Sequence, residues 1–241
     1  MGLHAHSVAG SIFDALGYPG EHMDFAYDNG MDALALTDHG NQNGLAYQVL
    51  HAKKMYSQGK EFKPIFGVEA YFLPSIANWR KEYEQARERA KNKNQLDDTQ
   101  TGTTVEDEAS KKAMKSLLNR RRHLILLAQD QDGLKNIFKL ISESYSADNY
   151  YRFPRVDYAA LKRHSKGVIA ASACLGGVYA GNYWENRNDG PDAVLDAMRE
   201  TTQKMQSIFG DRWYGELQWN DVPEQHELNQ YIIQMHHEFG V

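Results

Sequence analysis

Two histidines separated by one residue, His4 and His6, are the first side chains here that could do chemistry. Residues at i and i+2 of an extended strand point to one side, so the pair can grip a single ion. Taken alone, the spacing also fits two solvated side chains. Thr37-Asp38-His39-Gly40-Asn41 follows the apolar run Ala33 to Leu36, and in α/β barrels the edge where strands give way to loops is where reactive side chains gather. His39 is thereby placed to join the first pair, with Asp38 able to orient a histidine from behind. Glu69 ends a further apolar run, Pro64 to Val68. Burying an unpaired carboxylate is costly, so an arginine or a metal must answer it. With the histidines in view, a metal shared between ligands is the stronger reading. His4, His6, His39 and Glu69 are the candidates for catalytic work.

These side chains need a scaffold, and the sequence describes one. Short apolar runs at 33–36, 64–68, 124–128, 167–171 and 213–217 read as buried strands of a parallel sheet. Stretches of helical period lie between them, at about 20–29, 42–58, 131–145, 190–209 and 223–238. Repeated strand-helix order implies an α/β barrel or an open doubly wound sheet. From about Ser75 to Arg122 the chain turns highly charged and reads as an inserted surface helical hairpin with a mobile, turn-rich tip at 92–104. Its basic end, which includes Lys111, Lys112, Lys115 and Arg120 to Arg122, could meet nucleic acid phosphate, although Glu106, Asp107 and Glu108 lie nearby.

The 241 residues are 41% hydrophobic, enough to bury a core, and carry a formal net charge of -5. That balance excludes a strongly basic nucleic-acid binder, so any DNA contact must be local or metal-mediated. One cysteine, Cys174, cannot form an internal disulfide. With no signal sequence and no apolar run of membrane-spanning length, a soluble cytoplasmic protein is expected. By composition Cys174 is an ordinary buried thiol, His123 a strand-end surface residue, and Tyr150-Tyr151-Arg152-Phe153-Pro154-Arg155 loop packing. Glu216 ends a strand much as Glu69 does and receives no ligand role.

Several phrases together carry a resemblance: His4-Ala5-His6-Ser7, Ala33 to Asn41, Lys63 to Tyr71, His123 to Ala128 and Ser172 to Gly177. In this order they resemble the polymerase and histidinol phosphatase (PHP) family, in the branch found in bacterial DNA polymerase III alpha subunits. The resemblance spans nearly the whole chain except the charged stretch 75–122. It implies a distorted seven-stranded (β/α) barrel holding two to three divalent metal ions at one end, zinc or manganese first, iron or magnesium as alternatives. Carried over by position, it assigns His4, His6, Asp14, His39, Glu69, His123 and Cys174 to seven of nine ligand positions. The remaining two belong to an Asp-x-His motif in a strand expected beyond the helix at 223–238, whereas the chain stops at Val241. An incomplete C-terminal end of the barrel, incomplete metal binding and poor hydrolysis are therefore expected. Asp14 lies eight residues after His6 where the family has seven, so the loop holds one extra residue. His123 stands at the start of its apolar run, which fits the same metal edge only if that strand pairs antiparallel. Arg152 or Arg155 would hold a substrate phosphate.

The activity so implied is metal-dependent phosphodiester hydrolysis, as 3'-5' exonuclease proofreading. DNA, the downstream polymerase domains and replisome subunits are the partners, and no membrane is involved. Two alternatives stay open: a catalytically silent brace for the polymerase, and a free-standing phosphatase of the histidinol phosphate type.

Overall fold

The computed structural model describes residues 1–96 and 105–241. Seven strands form one mixed sheet: β1 (Ala33–Leu36), β2 (Lys63–Phe72), β3 (Arg122–Ala128), β4 (Tyr150–Tyr151), β5 (Phe153–Val156), β6 (Val168–Ala171) and β7 (Trp213–Tyr214). The longest, β2, organises the rest. Its first half pairs in parallel with β1, from Ala33 opposite Lys63 to Leu36 opposite Phe66. Its second half pairs antiparallel with β3, placing Tyr71 opposite His123 and Glu69 opposite Ile125. Beyond β3 come β6, antiparallel, and β7, parallel to β6. The short strands β4 and β5 branch from the end of β2, where β5 pairs in parallel with Tyr71 and Phe72.

The all-parallel expectation is corrected at β3, which runs against both neighbours. Reversal carries His123, at the start of its strand, to the edge where β1 and β2 end. Strands β4 and β5 occupy the segment read as loop packing, hidden from the sequence by their length and by Pro154.

In place of the distorted seven-stranded barrel, expected to be incomplete at its C-terminal end, the described residues form an open sheet. The N-terminal segment lies beside β1 through Gly2 N to Ala33 O (3.0 Å), Ala35 N to Gly2 O (2.8 Å) and Thr37 N to Ala5 O (2.8 Å). At the opposite edge, β7 ends after Tyr214, because the Glu216 amide turns to Ser172 Oγ at 2.9 Å. The two edges meet through a side-chain contact, His4 to Glu216, and border a cavity of about 1300 Å³ lined by Leu3, Ile65, Ile125, Leu127 and Ile169.

Alternation along β3 sorts its side chains. Leu124 and Leu126 enter the main core with Val168, Ala170, Met198 and Ile232, while Ile125 and Leu127 join Ala35 and Ala173 on the other face. Each fully buried leucine contributes roughly 1.5–3 kcal/mol. The helices are α1 (Pro19–Asp28), α2 (Leu45–Ser57), α3 (Ile76–Leu96), α4 (Val105–Asn119), α5 (Gln131–Ser144), α6 (Tyr158–His164), α7 (Val178–Asn186), α8 (Pro191–Phe209) and α9 (Pro223–Phe239). Local chemistry sets their ends. Asp130 and Asp157 cap α5 and α6 by accepting from Gly133 N and Ala160 N, and α9 runs from Pro223 to a left-handed Gly240. Gly133 is obligatory, since a Cβ there would lie 1.7 Å from Gly167 O. No described helix is long and apolar enough to cross a membrane.

Helices α3 and α4 occupy the charged stretch between β2 and β3. The expected mobile tip at 92–104 falls largely outside the described residues. Below them lies Arg155, and here the expectation of a phosphate ligand is corrected. Its side chain is fully buried, with Cζ over the Trp79 ring at 4.4 Å, and donates to the carbonyls of Leu118 (2.6 Å), Tyr151 (2.7 Å), Arg120 (3.2 Å) and Phe153 (3.2 Å). A guanidinium spent on four backbone acceptors fastens α4 to β5 and has no reach toward a substrate. Arg155→Met should therefore lower unfolding free energy in urea by about 3 kcal/mol, the cost of orphaned buried acceptors. A loss below about 0.5 kcal/mol would contradict this role.

Candidate metal centre

The loop after β1 and the start of β3 converge on Glu69, which lies inside β2. Main-chain bonds from Gly40 N to Glu69 O (2.9 Å) and from Glu69 N to Asp38 O (3.2 Å) set His39 beside it. Asp38 does not orient a histidine. Buried, it accepts from Ser7 N (2.7 Å), Ser7 Oγ (2.8 Å) and Ser11 Oγ (3.0 Å), and so fixes the loop that follows His6. Ser11 Oγ in turn accepts from His39 N at 3.0 Å.

Glu69 has no exposed surface. Its Oε2 lies 3.0 Å from His6 Nε2, 3.1 Å from His39 Nδ1 and 3.3 Å from His4 Nε2; its Oε1 lies 2.7 Å from His123 Nδ1. Cys174 Sγ approaches His123 Nδ1 to 3.5 Å and Glu69 Oε1 to 3.9 Å. Two groups of converging ligand atoms result, His4 with His6 and Glu69, and His39 with Glu69 and His123. Glu69 belongs to both. Asp14, half-exposed, meets His39 Nε2 at 2.6 Å, on the ring edge away from Glu69. Six of the seven residues assigned by resemblance thus gather around Glu69 itself or one ring beyond it, and Glu69 is the seventh.

The Cys174 turn is built for close approach. Ala173 is left-handed at φ 61°, and a Cβ on Gly177 would fall 2.0 Å from Ser172 O. Gly176 N donates to the thiol at 3.4 Å, and Gly176 O accepts from His123 N at 2.8 Å.

Electrostatics explain why this arrangement asks for cations. Burial alone would raise the Glu69 carboxyl, yet His123, His4 and His6 together hold it far below the usual carboxylate range. Burial pulls His4 and His123 down, but Glu216 and Glu69 raise His4 to about 10, and Cys174 and Glu69 raise His123 to about 9. Burial lowers His39. In the metal-free protein, protons therefore do what metal ions can do instead, and the donors fit metal. Nitrogen atoms on one tetrahedral ion at roughly 2.0–2.1 Å sit about 3.3 Å apart, close to the 3.2 Å between His4 Nε2 and His6 Nε2. His6 Nδ1 and His39 Nδ1 are buried without a hydrogen-bond partner; the latter lies near Glu69 without hydrogen-bond geometry. Imidazole, carboxylate and thiol donors suit zinc, and the oxygen donors admit manganese or iron.

Arg152 is not brought to the ligands. It is exposed, at φ 59°, with its guanidinium over Tyr151. The residue that sequence reasoning passed over is Glu216, whose Oε1 lies 2.7 Å from His4 Nδ1 while Gln218 Nε2 donates to the same oxygen at 2.8 Å. A carboxylate on Nδ1 fixes the tautomer and turns Nε2 toward the ligand cluster. Its one sequence signal was an acid ending an apolar run, the signal that had identified Glu69.

Glu216→Gln, which keeps the shape and removes the charge, should weaken zinc binding by about 10- to 100-fold. In the metal-free protein the His4 imidazole should titrate well below about 10 by NMR. The stabilisation from protonated His4 is complete below the unfolded-state value near 6.5 and fades as pH rises through about 10, so the variant should lose stability chiefly below that upper limit. Unchanged zinc affinity would contradict the assignment.

Residues 2–220 match the family described as the PHP domain. The chain is 34% identical over 239 residues to the DNA polymerase III subunit alpha of Aquifex aeolicus, covering 99% of this chain and 17% of that subunit. It is 32% identical over 209 residues to the same subunit of Deinococcus radiodurans, covering 87% of this chain and 12% of that one. It therefore spans less than a fifth of the relatives it matches. A solved structure from Bifidobacterium adolescentis, assigned as a metal-dependent phosphoesterase, aligns at 15% identity with a TM-score of 0.42, covering 99% of this chain and 83% of that one. The His-x-His pair, the His39 loop, the Glu69 strand and the match over most of the length agree: this chain belongs to the PHP domain family.

Proposed function

We propose that this chain is the metal-dependent phosphoesterase module of a bacterial-type DNA polymerase III alpha subunit, acting on phosphodiesters as a 3'-5' exonuclease on DNA. The observation that carries the reading is the shared, buried Glu69 with ligand groups on both of its oxygens. Relatives that carry the subunit's name cover nearly all of this chain, which favours DNA over a small phosphoester.

The residues divide the work. His4, His6, His39, His123, Glu69 and Cys174 would hold the ions, with Asp14 on the exposed side of His39. Bound divalent ions would supply Lewis acidity toward phosphate and lower the pKa of an attacking water. Glu69, kept ionised by its histidines, holds charge where two cations can share it. Glu216 keeps His4 Nε2 free of a proton once metal displaces the charge. Asp14, half-exposed and bonded to His39, is the carboxylate nearest to solvent and can accept a proton at the mouth of the site. No covalent nucleophile is needed.

A second reading, a brace in which metal serves stability, is favoured by one observation: the ligands join the N-terminal segment, β1, β2, β3 and the turn after β6 around one carboxylate. Hydrolysis separates the two. With manganese or zinc and a mismatched primer, the wild-type module carried within a longer polymerase chain should remove 3' nucleotides. The His4→Ala, His39→Ala double variant should lose at least about 100-fold in rate, as expected when several kcal/mol of metal catalysis vanish. A chelator that lowers the melting temperature while neither protein hydrolyses DNA would favour the brace; equal hydrolysis by both proteins would sink the proposal.

A further inference from the structure

Three consecutive arginines, Arg120, Arg121 and Arg122, precede His123, and the structure treats them differently. Arg120 pairs with Glu82 at 2.7 Å and Arg122 with Glu185. Among the described residues Arg121 has no carboxylate partner. One terminal nitrogen donates to Asn119 O at 2.8 Å, and its buried Nε has no hydrogen-bond partner. The polar neighbours of its guanidinium are thus a carbonyl and the Tyr71 side chain, neither of them charged.

Its position gives the reason. Arg121 stands two residues before His123, and in an extended chain such residues share a face. Its Cζ lies 3.8 Å from the centroid of the Phe153 ring and 5.2 Å from that of Tyr71. Tyr71 is the cross-strand partner of His123, 5.5 Å from its ring and 5.8 Å from the ring of His39, on which it stacks. A wall of rings thus runs from the ligands to the guanidinium and holds it rigidly. Arg155, buried behind, is close enough for the Arg121 charge to help lower its own pKa, after burial.

We infer that Arg121 is a phosphate-binding residue of the metal centre: its guanidinium, laid over Phe153 beside Tyr71 and unpaired with any carboxylate among the described residues, donates to a non-bridging oxygen of the phosphoryl group presented to the metal ions. This rests on the phosphoesterase reading and replaces Arg155 in the role first expected of it. A planar fork of donors suits phosphate oxygens, and each charge-assisted bond is strong in a partly buried setting.

The test uses the zinc-loaded protein, inorganic phosphate as the probe and bis(p-nitrophenyl) phosphate as substrate. Arg121→Met keeps the apolar packing on Phe153. It should weaken phosphate binding, measured by calorimetry, by about tenfold or more and raise KM for the ester, with zinc content and melting temperature unchanged. Arg121→Lys should recover part of the loss, and the ion-paired neighbours Arg120→Met and Arg122→Met should show none. Unchanged phosphate affinity in both Arg121 variants, no phosphate binding by the wild type, or a parallel loss of zinc would each overturn the inference. If the wild type binds phosphate but hydrolyses no ester, the proposed function fails while the titration still decides the role of Arg121.

Discussion

A carboxylate removed from water must be met by positive charge, and the architecture around Glu69 follows from that requirement. The cost of burying the group is several kcal/mol, too much to tolerate in a sheet strand without compensation. No lysine or arginine supplies it among the described residues; four imidazoles and a thiol surround the group instead. With Glu69 itself, these side chains come from five places in the chain. The strand order, with β2 at the centre and β3 reversed beside it, is what lets five separate segments deliver a side chain to one point. Asp38 and its serines, Gly177 and its tight turn, and Glu216 behind His4 are the supports that keep each ligand aimed.

Overall charge sharpens the point. A chain of net charge -5 has no general attraction for an anionic substrate. Attraction must be local, and the structure offers one line for it, from the ligand cluster through Tyr71, stacked on His39 and edge-to-face with Phe153, to Arg121. The remaining basic residues of the described surface near that line are largely consumed by acidic partners, as Arg120 and Arg122 show.

Much of this was legible in the sequence because it was written in short, local patterns. Apolar runs marked β1 and β6 nearly to the residue, β3 to within two and only the first half of β2, so Glu69, read as ending its strand, lies inside it, while His-x-His and His39 announced themselves by type and spacing. What stayed hidden depended on pairing direction and distance. Nothing local to His123 says that β3 runs backwards, so its role came from resemblance alone. The burial of Arg155, expected to hold phosphate, was hidden because two of the four carbonyls it satisfies, those of Leu118 and Arg120, belong to a distant segment. Glu216 carried the same local signal as Glu69, yet its partner lies 212 positions away, a contact that only the curl of the sheet brings about. The open gap between the N-terminal segment and β7 was equally hidden, since a strand count says nothing of whether two edges hydrogen-bond.

The claim on which the rest stands is that Glu69 is shared between metal ions. Crystals grown with zinc, measured at the zinc absorption edge, test it directly. The account predicts at least two anomalous peaks, one beside His4 and His6 and one beside His39 and His123, each within about 2.0–2.3 Å of a Glu69 oxygen. A single peak that leaves Glu69 uncoordinated, or no peak within reach of its carboxylate, would contradict it.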